Sequence, residues 1–196
     1  LIGLLIIILI AVGIYLAKTH NTGLVKQSKE AAVYQDGNLS YCTKINGNRF
    51  QVYKTGQWED MLIKGVNIGM ARPGTWPGEA AISESEYYRW FKYIGEMGAN
   101  AIRVYTLHPP EFYKALYLYN RQAEEPLYLF HGVWIEEENL EKTLDAYLPE
   151  NTLPFDEEMQ RIVDVIHGQA SVKARRGHAA GEYTYDISPY VMGWII

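Results

Sequence analysis

The sequence lacks the features that mark several common classes of protein. Among its 196 residues there is a single cysteine, Cys42, which excludes an internal disulfide and a cysteine-based metal site. The formal net charge of -5 leaves no broad basic surface for a phosphate backbone, so nucleic acid is not an expected partner. The five histidines are too scattered for a zinc-protease motif. We therefore expect neither a metal nor a cofactor.

Two further signatures are missing. Gly65 and Gly69 do not have the G-x-G-x-x-G spacing of a dinucleotide-binding loop, and no G-K-[ST] motif follows them. The chain also contains no G-x-S-x-G motif, in which the serine would be the nucleophile of a hydrolase. Nucleotide binding and serine hydrolysis are therefore not supported.

The chain begins with an uncharged apolar run. Residues 1–17 read LIGLLIIILIAVGIYLA, and as a helix they would span roughly 25 Å, which predicts a transmembrane anchor in contact with a lipid bilayer. A cleaved signal peptide and a buried core helix are the alternatives. Residues 18–40 are polar and predict a juxtamembrane stalk. Its Lys18, Lys26 and Lys29 favour a cytoplasmic remainder, unless a basic flank ahead of the anchor outweighs them.

The remainder of the chain alternates strand and helix patterns. Residues 41–61 predict a β-hairpin with its turn at Gly56. Within residues 62–196, apolar strand patterns alternate with helix patterns, and Ser83 and Glu86 have the spacing of a capping box. The strand patterns are LIKGVNI, NAIRVYTL, PLYLFHGVWI and YVMGWII. Parallel βαβ units have this order, and both a doubly wound sheet and an eight-fold barrel fit it.

Arg103 is the most informative candidate residue, because it lies inside the apolar strand pattern AIRVY. A buried guanidinium requires a carboxylate or a polar cavity, since an unpaired one is costly. It either forms a structural ion pair or positions an active-site carboxylate and keeps it ionised.

Other candidates follow the ends of the predicted strands, where loops build the active sites of parallel α/β folds. The loop after the first strand is stiffened by prolines, and it either faces a substrate or only closes the rim. Aromatic rings at strand ends suit stacking on sugars, although they are as often part of the core. The candidate substrate-binding residues are Asn67, Arg72, Trp76, Tyr105, His108, His131 and Trp134.

Three segments, IKGVNIG, GANAIRVYTLHPPEFYKALYLYN and ISPYVMGWII, resemble the first half of a glycoside hydrolase TIM barrel, close to glycoside hydrolase family 2. The resemblance extends from Gln57 to the end of the chain, and membrane-anchored bacterial proteins with this barrel are the most similar. It implies an α/β fold in which residues 62–196 form the N-terminal half of a (β/α)8 barrel. It also implies a carbohydrate substrate and a single-pass membrane protein with an extracytoplasmic catalytic domain.

By the same resemblance, Arg103 supports the catalytic nucleophile and Asn67 contacts the substrate. The acid/base glutamate of the family lies just beyond the fourth strand, and its nucleophile lies at the seventh. We therefore expect a fragment truncated at both ends and inactive by itself, with no catalytic residue before Ile196. The parent protein would be a retaining glycosidase or a transglycosidase. The alternative is a noncatalytic anchored module that binds a glycan or a partner.

Overall fold

The computed structural model describes residues 32–196, which begin with two small antiparallel units. The first is a hairpin and the second is a three-stranded meander, and the rings of Tyr34 and Tyr41 contact Trp58 between them at 5.4 and 5.8 Å. The hairpin occupies part of the predicted stalk, and the meander lies where one hairpin was predicted. The five strands are β1 (Tyr34–Asp36), β2 (Leu39–Tyr41), β3 (Thr43–Asn46), β4 (Arg49–Lys54) and β5 (Gln57–Asp60).

From residue 65 onward, strands alternate with helices. In chain order, the elements are β6 (Gly65–Asn67), α1 (Glu84–Glu96), β7 (Ala101–Val104), α2 (Pro110–Gln122), β8 (Tyr128–Gly132), α3 (Glu137–Thr143), α4 (Pro149–Ile166), β9 (Ala170–Val172), β10 (Gly181–Tyr183) and β11 (Val191–Ile195). Strands β9 and β10 form an antiparallel hairpin, and the other four strands form one parallel sheet in the spatial order β6, β7, β8, β11. In that sheet Arg103 lies between Asn67 and Phe130 in register.

Local sequence explains where the helices begin. At α1 the Ser83 hydroxyl accepts a hydrogen bond from the Glu86 amide, and the Glu86 carboxylate accepts one from the Ser83 amide, so the capping box is formed. Helices α2 and α4 begin with prolines. Proline is tolerated there because the amides of the first helical turn have no hydrogen-bond acceptor within the helix. Helix α4 begins at Pro149 and includes Pro154 in its second turn.

Two hydrophobic clusters lie on opposite faces of the parallel sheet. Ile102, Val104 and Leu129 face the helices and belong to the larger cluster. On the other face, Ala101 and Tyr128 pack against the meander, together with Cys42, Val52 and Met192. Ala101 and Tyr128 are the first residues of their strands, and Phe130 of β8 packs there too, with its ring 6.3 Å from that of Phe50 in the meander. The meander therefore covers the beginnings of β7 and β8 and extends along β8 as far as Phe130.

The predicted fold class, the first half of a (β/α)8 barrel, is wrong for the described residues. Three of the four sheets are antiparallel and small, and no barrel is present among residues 32–196. The parallel sheet is open, with β6 and β11 at its edges, whereas a barrel closes only when its first and last strands pair. Alternating strand and helix patterns report local βα order, but closure depends on pairing between distant strands that no local pattern encodes.

The predicted single-pass membrane location with an extracytoplasmic domain is also contradicted. Between residues 32 and 196, no helix has the length and apolar character needed to cross a bilayer. The predicted anchor, residues 1–17, and most of the predicted stalk lie outside the described residues.

The carboxyl-terminal ends of β7 and β8 approach each other closely at Gly132. A Cβ atom at this position would lie 2.6 Å from the Cα atom of Tyr105 and 2.9 Å from the carbonyl oxygen of Val104. By contrast, a Cβ atom at Gly65, in the same sheet, would make ordinary contacts of 3.8 and 3.9 Å with Ala101. The missing side chain at Gly132 therefore lets the two strand ends meet.

We expect Gly132→Ala to lower the free energy of unfolding by about 1–3 kcal/mol, because the new methyl group must push two backbones apart. Gly65→Ala, the same substitution in the same sheet, should change it by less than about 0.5 kcal/mol. Urea unfolding of the two variants measures both values. Equal losses would contradict the close approach at Gly132.

Candidate functional site

A cleft of about 210 Å³ opens at the carboxyl-terminal end of the parallel sheet. The end of β7 contributes Arg103 and Tyr105, and the segment after β8 contributes Trp134. Glu137 at the start of α3 and Ile195 at the end of β11 also line the cleft. The cleft therefore collects side chains from three adjacent strands of one sheet.

Strand geometry explains why Arg103 and Tyr105 face this cleft. Successive side chains of a strand point to opposite faces of the sheet. Since Ile102 and Val104 pack against the helices, Arg103 and Tyr105 lie on the other face. The meander covers that face at the beginnings of β7 and β8 and along β8 as far as Phe130. The cleft lies at the carboxyl-terminal ends of the strands.

The Arg103 side chain is half-buried. No carboxylate among residues 32–196 forms an ion pair with its guanidinium, and no side-chain hydrogen bond reaches it from the same residues. The structural ion pair considered from the sequence is therefore not formed within the described part of the chain. A guanidinium carries five N–H donors in a planar fork, and within residues 32–196 no side chain accepts from them.

Two aromatic side chains flank the arginine. Tyr105 is 41% exposed, and a Cβ atom at Gly69 would lie 3.2 Å from its hydroxyl oxygen, so the ring extends over the start of the loop after β6. Trp134 is 38% exposed and lies two residues beyond β8. The Trp134 ring suits the C–H face of a ligand. The Tyr105 hydroxyl and the Arg103 guanidinium suit the hydroxyl groups of the same ligand.

Two predicted substrate-binding residues, His108 and His131, are corrected by the structure, because they are only 1% and 0% exposed. The Nδ1–H of His131 donates to the Gly132 carbonyl oxygen at 2.8 Å, and its Nε2 accepts from the Tyr113 hydroxyl at 2.8 Å. The Nδ1 of His108 lies 3.0 Å from the Tyr87 hydroxyl. Both rings are satisfied inside the core and cannot touch a substrate.

Burial also sets the protonation state of both rings. Loss of solvation and, to a smaller extent, the nearby His131 together lower the pKa of His108 to about 3. The same loss of solvation lowers the pKa of His131 to about 4. Both imidazoles are therefore neutral at pH 7 and serve as hydrogen-bonding groups of the core.

The remaining predicted site residues lie elsewhere. Arg72 lies 3.7 Å from the Glu86 carboxylate and donates through Nε to the Ala81 carbonyl oxygen at 3.2 Å, so it ties the loop to the start of α1. Trp76 is 76% exposed and does not line the cleft. Asn67 is the register partner of Arg103 but lines a different hollow beside α1. Of the seven predicted substrate-binding residues, only Tyr105 and Trp134 join Arg103 in one cleft.

Glu137 also lines the cleft, although no sequence pattern identifies it as a site residue. The acidic run 136–138 predicts the first turn of a short helix, and α3 does begin at Glu137. No local pattern reveals that this turn begins beside the ends of β7 and β8. Among residues 32–196, no group of three or more His, Cys, Asp or Glu side chains could hold a metal ion.

No family model, curated protein or solved structure matches this chain. Its likeness to glycoside hydrolases therefore remains a prediction from the sequence segments alone. Functional inference has to begin from the geometry of the cleft.

We expect acid to unfold this protein through the two buried histidines. Because the pKa values of His108 and His131 are lower in the folded state, the unfolded chain binds more protons below about pH 6.5. The free energy of unfolding should therefore fall by up to about 1.4 kcal/mol per pH unit for each histidine between roughly pH 6.5 and 4. Urea unfolding measured across this range gives the slope.

The slope should become shallower in His131→Asn, whereas the same substitution at the exposed His167 should leave it unchanged. Equal slopes in the wild type and in His131→Asn would contradict the assignment of a neutral, buried imidazole at position 131.

Proposed function

We propose that this chain is the carbohydrate-binding part of a glycoside hydrolase, and that the cleft of Arg103, Tyr105 and Trp134 holds the sugar. The observation that carries the proposal is the convergence of these three side chains on the open part of one sheet face. The likeness of the strand segments to glycoside hydrolases supplies the reaction class.

Each side chain has a role that suits a sugar. The indole of Trp134 offers a flat apolar surface for the C–H face of a pyranose ring. The Tyr105 hydroxyl can donate to or accept from a sugar hydroxyl, and the Arg103 guanidinium donates to sugar oxygens. An apolar wall with a few directed polar groups is the usual composition of a small-molecule site.

Hydrolysis requires catalytic groups in addition to a binding site. A retaining glycosidase uses two carboxyl groups about 5 Å apart, one as nucleophile and one as acid/base. Within the described residues, Glu137 is the one carboxylate that lines the cleft, and it is exposed. We therefore assign these residues to substrate binding and propose that the catalytic pair belongs to the parent enzyme.

The presence of one carboxylate rather than a pair favours a second candidate, a noncatalytic module that binds a glycan. Assays of the parent protein, from which this chain would come, for release of reducing sugar from the oligosaccharides that this chain binds separate the two. Turnover supports the hydrolase, whereas binding without turnover supports the module.

The proposal is tested by comparing two exposed tryptophans. Binding of the purified protein to an oligosaccharide array identifies a ligand, and calorimetry then gives its dissociation constant. We expect Trp134→Ala to weaken binding by about tenfold or more, because the stacking surface is lost. Trp76→Ala, the same substitution outside the cleft, should leave the dissociation constant within about twofold of the wild type. Binding that depends equally on both tryptophans, or no binding to any oligosaccharide, would contradict the proposal.

A further inference from the structure

Arg103 is a half-buried cation whose anionic partner is not found among residues 32–196. Arginine keeps its charge at any ordinary pH, so the charge cannot be relieved by loss of a proton. Partial burial removes part of its hydration, and an opposite charge would compensate for that loss. Other cations of the protein have such partners, for example Lys114, which lies 2.9 Å from the Glu84 carboxylate.

The surroundings of Arg103 do not supply the missing charge. Its register partners in the neighbouring strands, Asn67 and Phe130, are neutral. The walls of the cleft include the apolar Val133 and Ile195, and its carboxylate, Glu137, is exposed and forms no ion pair with Arg103. An anion bound in the cleft would lie beside the Arg103 guanidinium and next to apolar side chains. Charge interactions are stronger in such surroundings than in bulk water.

We propose that the sugar bound in this cleft carries a carboxylate, as uronic acids do, and that Arg103 is the residue that selects it; this inference rests on the proposed function. The planar guanidinium can donate two parallel N–H···O bonds to the two oxygens of a carboxylate. Tyr105 supplies a hydroxyl for a neighbouring sugar hydroxyl, and Trp134 supports the ring. Arg103 thus distinguishes an acidic sugar from its neutral counterpart, and Trp134 binds both.

Matched pairs of oligosaccharides test the selection. Suitable probes are trimers of galacturonic acid, of mannuronic acid and of glucuronic acid, each paired with the same trimer after reduction of its carboxyl groups to primary alcohols. We expect at least one acidic trimer to bind about ten- to a hundredfold more tightly than its reduced form. Calorimetry at two salt concentrations separates a directed contact from general charge attraction, which salt screens.

Two variants locate the effect. Arg103→Met should abolish the preference, so that the acidic trimer and its reduced form bind with dissociation constants within about twofold of each other. Arg89→Met, which removes the same charge from the exposed surface of α1, should keep the preference. Arg103→Met should also fold with a melting temperature no lower than that of the wild type, because it removes a half-buried charge that has no ion-pair partner among residues 32–196.

The outcomes are distinct. A preference that disappears in Arg103→Met and persists in Arg89→Met supports the inference. Equal binding of acidic and reduced trimers that depends on Trp134 overturns the acidic-sugar inference and leaves the proposed function standing. A preference that survives in Arg103→Met overturns the role of Arg103. If neutral and acidic oligosaccharides all fail to bind, the proposed function fails together with the inference.

Discussion

A parallel sheet is stable only when both of its faces are covered, and this constraint organises the described part of the chain. Helices pack on one face, against Ile102, Val104 and Leu129. The antiparallel meander packs on the other face, at Ala101, Tyr128 and Phe130. The uncovered part of that face holds Arg103 and Tyr105, and the candidate site lies there because covering is incomplete.

The rim of the cleft is supported from beneath by buried polar contacts. Tyr113 on α2 donates to His131 of β8 at 2.8 Å and accepts from the backbone amide of His108 at 3.3 Å. The hydroxyl of Tyr183 on β10 donates to the carbonyl oxygen of His108 at 2.9 Å. These contacts join two strands, a helix and the segment after β7. Since burial keeps both histidines neutral, the network holds without a buried charge. The same imidazoles that the sequence suggested for substrate binding instead support the strand ends that form the cleft.

Several elements could be predicted because they depend on neighbouring residues. The capping box at Ser83 is completed within four residues, and Pro110 begins α2 because its missing amide costs nothing there. The site was only partly predictable. Arg103 stands out in an apolar strand, and Trp134 follows a strand end. His108 follows the end of β7 and His131 lies near the end of β8, yet both side chains point into the core, because the face of each side chain depends on where the strand and its extension pack.

The sequence by itself determined the four strands of the parallel sheet, the helices that follow them and the position of a charged residue in the second parallel strand, but not the hairpin of β9 and β10. Capping, proline placement and apolar periodicity act over a few residues, so a single chain segment is enough to specify them. Only the tertiary structure decided that the sheet stays open and that the meander covers part of one face. It also decided that Arg103, Tyr105 and Trp134 share a cleft without His108, His131 or Trp76. These outcomes depend on contacts between segments far apart in the chain, and no local pattern records such contacts.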